Sequence, residues 1–109
     1  MIDNQKQVTA LMRDLEAHLP VPAKATKSRC DLLRRQSIDI SPTTLLEIID
    51  VVYMGDEGGI CCAIKAASQE MAAVVVSLTH LSLPPNSPLA KNVTAYQTQR
   101  VKKLAKLTR

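Results

Sequence analysis

All three glycines of this chain fall within five consecutive residues, Gly55-Asp56-Glu57-Gly58-Gly59. Glycine supplies the positive φ that tight reversals need. One sharp reversal is therefore written at this point, and the runs on either side are the elements it joins. Before it stands TLLEIIDVVYM, residues 44–54. Ser41-Pro42 ahead of that run is a good helix start, because proline suits the first helical position. Against a helix, Ile48, Ile49, Val51, Val52 and Tyr53 are β-formers packed closely together. After the glycines, Ile60-Cys61-Cys62-Ala63-Ile64 resume an apolar run. Strand, turn, strand is the simplest account.

Lys65 to Glu70 is polar and small and reads as a second turn. Met71 to Leu81 is a third strand, centred on Val74, Val75 and Val76. Pro84-Pro85 makes residues 81–88 a loop. Ser87-Pro88 then reads as the cap and first residue of a final helix running to about Lys106.

At the other end, Asp3 is a plausible N-cap. Val8, Leu11, Met12, Leu15 and Leu19 recur at helical spacing, which predicts an amphipathic helix closed by Pro20 and Pro22. A short basic helix is expected over residues 23–36, with Leu32 and Leu33 as its main apolar pair. Residues 36–42 are a connector. The reading is one α+β domain over residues 1–109: helix, helix, three-stranded antiparallel meander, helix.

Regular alternation puts Leu46, Ile48 and Val52 on one face of the first strand and Leu45, Ile49, Val51 and Tyr53 on the other. In the third strand, Val74, Val76 and Leu78 oppose Val75, Thr79 and Leu81. Apolar residues on both faces imply that both are covered. Helices on both sides would do this, and so would a partner subunit, so a homodimer is expected.

The core must be aliphatic. Aromatic residues are 2% of the chain, Tyr53 and Tyr96, within a hydrophobic content of 46%. With 109 residues, the chain has little room for a deep catalytic cleft beside its core. No apolar run approaches the roughly 20 residues of a membrane span. The start, MIDNQKQ, is polar and resembles no signal-peptide core. Cys30, Cys61 and Cys62 are odd in number, unlike a secreted disulfide scaffold. Together these predict a cytoplasmic protein. His18 and His80 lack cysteines at zinc-finger spacing, and no metal or other cofactor is expected.

Three groups of residues are candidates for function. Asp56 and Glu57 in the glycine turn could contact a metal or a peptide. Neither the phosphate-loop Lys-Ser/Thr ending nor alternating calcium ligands are present. The plain alternative is a hairpin turn kept soluble by its acids. His80 could pair with Cys61 or Cys62 as base and nucleophile. The alternative is a structural histidine near strand cysteines that behave as small hydrophobes.

The third group follows from the charge distribution. Residues 1–70 carry eight basic and ten acidic side chains, whereas residues 71–109 carry six basic and none acidic. On the final helix, Leu89, Val93, Tyr96, Leu104 and Leu107 share one side. Lys91, Lys102, Lys103, Lys106 and Arg109 lie largely on the other and are candidate phosphate contacts. A solvated face with cations near a helix C-terminus is the alternative. Arg100 falls on the apolar side, where it is expected to snorkel or to pair with an acid. Two tyrosines are too few for a base-stacking platform, and a membrane-surface helix without Trp or Phe is weakly supported.

The function expected is a non-catalytic interaction or regulatory module, homodimeric, with a protein partner of unknown identity. The alternatives are weak non-specific nucleic-acid binding through the last helix and a small enzyme using a Cys/His pair.

Overall fold

A computed structural model describes residues 3–66 and 73–107, and the side chain of residue 107 lies outside the description. The elements are α1 (Gln5–Ala17), β1 (Val21–Ala25), α2 (Lys27–Arg35), β2 (Leu46–Tyr53), β3 (Ile60–Ala66), β4 (Val74–Ser77), β5 (Leu81–Ser82) and α3 (Ala90–Leu107). Short 3-10 turns cover Gly55–Glu57 and Leu78–His80. The architecture is α+β, with an antiparallel sheet in the order β4-β3-β2-β1-β5.

The strand-turn-strand prediction holds. Gly55 and Gly59 have φ of 69° and 65°, and the Met54 N–H donates to the Gly59 carbonyl at 2.7 Å. The β2-β3-β4 meander is there, but it is three-fifths of a larger sheet. β1 was not expected, because its region read as helix. Its sequence, Val21-Pro22-Ala23-Lys24-Ala25, carries a proline and two alanines, which mask its alternation of buried and exposed residues. Pro22 is tolerated because β5 pairs with Lys24 and Ala25, and among the described residues no strand pairs beside Pro22 on that side. The basic helix is therefore shorter than expected and starts at Lys27.

At the two ends of the third expected strand the structure also differs. Lys65 and Ala66 continue β3 rather than turn. Met71 and Ala72 lie outside the described residues. β4 ends at Ser77, whose hydroxyl accepts from the Thr79 N–H and starts the 3-10 turn. Leu81, where the expected third strand and loop meet, and Ser82, expected as loop, come back to pair with β1.

A β-bulge corrects the face assignment of β2. Ile48 pairs with Ile64, but Asp50 pairs with Ala63, so Ile49 is an extra residue. One inserted residue reverses the alternation beyond it. Val51 therefore joins Leu46 and Ile48 in the core, while Val52 turns outward.

One core results. Val8, Leu11 and Leu15 of α1, Cys30 and Leu33 of α2, and Val93 and Tyr96 of α3 pack with the inward residues of the strands. The opposite-facing strand residues Lys24, Asp50, Val52, Lys65 and Val75 are exposed. Among the described residues, all three helices thus lie on one side of the sheet and none covers the other. α1 is capped by Asn4, whose Oδ1 accepts from the Gln7 N–H at 3.0 Å. Asp3, expected as the cap, is used elsewhere.

Candidate functional site

The glycine turn is fastened from beneath. Gly59 has no side chain because none would fit: a Cβ there would collide with the Tyr96 hydroxyl and stand 2.9 Å from the Arg100 guanidinium. The Tyr96 hydroxyl accepts from the Ile60 N–H at 2.9 Å. Arg100 Nη2 donates to the Asp56 carbonyl and Nη1 to Asp3 Oδ2, both at 2.7 Å. Asp3 Oδ2 also accepts from the Tyr53 hydroxyl at 2.9 Å. Burial, and then this hydrogen bond, push the Tyr53 phenol up to about 12. Arg100, on the apolar side of α3, finds its acid in Asp3.

The candidate acids Asp56 and Glu57 both sit in the 3-10 turn with exposed side chains. The turn is held in part through the Asp56 carbonyl, which accepts from Arg100. No group of three or more His, Cys, Asp or Glu side chains converges on a metal position among the described residues.

His80 ends the second 3-10 turn and is half-buried. Its carbonyl accepts from the Thr26 N–H at 2.9 Å, which ties the turn to the start of α2. Burial, and then the charge of Arg29, push its imidazole below the ordinary value. No hydrogen bond joins His80 to Cys61 or Cys62 among the described residues. Cys61 Sγ instead donates to the Gly58 carbonyl at 3.7 Å. Burial raises the Cys61 thiol and pushes that of Cys62 up to about 12. An activated nucleophile needs the opposite shift.

On α3, Lys91, Lys102 and Lys106 are exposed, as expected. Lys103 is half-buried rather than on the open face, and Arg109 lies outside the described residues. No helix is long and apolar enough to cross a membrane among the described residues. A groove of about 450 Å3 runs along α1, lined by residues including Val8, Met12, Arg13, Glu16 and Tyr53.

The remaining candidate surface is the uncovered side of the sheet. Cross-strand register places Val52, Cys61 and Ser77 in one row and Asp50, Ala63 and Val75 in the next. Ile49 is 37% exposed, Val52 48% and Val75 60%. The residue types of this surface were legible beforehand, but the bulge that selects which of them point outward was not. Glu47 and Lys65 face each other in register at its far end.

No family model matches the chain, and no curated protein or solved structure matches it.

Proposed function

We propose that the chain is a homodimeric, non-catalytic interaction module that offers a partner the sheet surface its own helices leave uncovered. One observation carries the reading: among the described residues, all three helices lie on one side of the sheet, while Ile49, Val52 and Val75 on the other are large, apolar and exposed. Apolar side chains gathered on one open face mark interaction surfaces, because burying them removes hydrocarbon from water. Sedimentation equilibrium over a range of concentrations tests it. Mass rising toward a dimer is expected, and a monomer at every concentration discards the homodimer.

A second reading is supported by the exposed lysines of α3. Lys91, Lys102 and Lys106 on an outer helix face could follow a phosphate backbone. Binding to duplex or single-stranded nucleic acid would then be weak and fall steeply with salt. Replacing Lys102 and Lys106 with Gln would weaken it and leave the fold intact. Binding indifferent to salt contradicts the phosphate mechanism.

A further inference from the structure

We propose that β4 is the edge at which two copies of this chain join, strand against strand and antiparallel, so that one sheet continues across a two-fold axis. The inference rests on the homodimer reading above and assigns it to one surface.

A sheet edge presents a row of unpaired N–H and C=O groups, and folded proteins protect such rows. The two edges of this sheet are treated differently. β5 has two residues, and Pro84 and Pro85 follow soon after it. A short edge followed by prolines offers little to an incoming strand. β4 has four residues, Val74-Val75-Val76-Ser77, paired to β3 along its whole length. On its other side it has no partner among the described residues. Alternate residues of such a strand turn their N–H and C=O away from the paired neighbour. β4 itself holds no charge, no proline and no bulge.

The chemistry of this edge fits a copy of itself. Only another extended strand satisfies a row of alternating donors and acceptors. With the chain at +4 overall, contact between copies is opposed wherever their cations meet. β4 and its β3 partners Cys61, Cys62, Ala63 and Ile64 carry no charge, so pairing here brings no like charges of these strands together. Antiparallel self-pairing also sets valine beside valine, a favourable pairing of β-branched residues. A two-fold axis normal to the sheet keeps both uncovered faces on the same side. The two exposed Val75 side chains then shelter each other, while the buried Val76 side chains face the joined core side. Four residues form a small contact, so the dimer belongs with weak, concentration-dependent interfaces.

The test compares two lysine substitutions at exposed sites by sedimentation velocity, from about 10 to about 500 micromolar. Val75→Lys puts a charge on the edge, and Val52→Lys puts one on the open face away from it. Circular dichroism checks that both variants fold. Hydrogen exchange of the wild-type β4 amides is followed at low and high concentration. The expected result is a wild-type dimer, lost in Val75→Lys and kept in Val52→Lys, with β4 amides protected at high concentration. A dimer lost in Val52→Lys but kept in Val75→Lys overturns the edge and leaves the homodimer standing. A wild-type monomer throughout overturns both. If both variants dissociate, or Val75→Lys does not fold, the wild-type amides decide. Protection of β4 that rises with concentration upholds edge pairing, and its absence overturns it.

Discussion

Arg100 and Asp3 meet in the interior although 97 positions separate them. Both side chains are buried, and they form an ion pair at 2.7 Å. Leaving one buried charge without its partner typically costs about 3 to 5 kcal/mol. Asp3→Asn and Arg100→Met are each expected to lower unfolding stability by an amount of that order, read by urea denaturation. The double variant should lose much less than the two losses added together, because it strands neither charge. Full additivity would mean that the two residues act independently.

Gly55 and Gly59 share a positive φ but not an environment. A Cβ at Gly55 meets nothing within 4 Å, whereas one at Gly59 meets Tyr96 and Arg100. Gly55→Ala is expected to cost about 1 kcal/mol from backbone strain alone. Gly59→Ala should cost about 2 to 4 kcal/mol, because the clasp must also shift. Equal losses in thermal unfolding would contradict the close approach at Gly59.

Thr26 precedes α2 but its side chain makes no capping hydrogen bond, and its Oγ1 is buried without a partner among the described residues. A buried hydroxyl without a partner is a cost that an isosteric methyl removes. Thr26→Val is therefore expected to leave stability unchanged or raise it by up to about 1 kcal/mol. A clear loss in denaturant midpoint would show that the hydroxyl is used.

How much of this was open to sequence reading depends on the distance between cause and effect. The β2-β3 hairpin was legible because its cause, the glycine cluster, is local. α1 was legible for the same reason, since Val8, Leu11 and Leu15 recur within one element. The bulge was not, because nothing in Ile48-Ile49-Asp50 differs from a regular strand; the mismatch exists only against β3. β1 was hidden by Pro22, which reads as a breaker until the sheet shows it beside a stretch that β5 does not reach. Asp3 and Asn4 are both good caps, and only the position of Arg100 decides which one caps. The apolar-side placement of Arg100 did signal a missing acid, but no local rule could name one 97 positions away.

Tyr53 and Tyr96 are the only aromatic residues, so phenolate absorbance has no tryptophan beneath it. Burial raises both phenols above their usual value of 10.0, that of Tyr53 to about 12. A group whose folded pKa is raised stabilises the fold fully below its unfolded pKa, and that stability is lost as pH climbs through the folded value. Stability is expected to hold up to about pH 10 and to fall between pH 10 and 12 as phenolate appears. A spectrophotometric titration with its midpoint near 10 in the folded chain would contradict this.

The cysteines give a related expectation. Burial raises all three thiols. Alkylation of the native chain near neutral pH should run at least about tenfold slower than that of an open thiol. Mass spectrometry would follow it, and one fast-reacting cysteine would revive the Cys/His enzyme reading.

The strand order also divides the fold into near and far connections. β2, β3 and β4 pair with sequence neighbours, so the chain closes short loops to make them. β5 skips back past all three to join β1, and Arg100 then reaches Asp3. Loop closure over long separations carries the larger entropic cost, so such contacts are expected to follow the local ones. The meander therefore belongs to the early part of the folding reaction. The β1–β5 pair and the clasp belong to the late part, where destabilising substitutions quicken unfolding and leave the folding rate nearly unchanged.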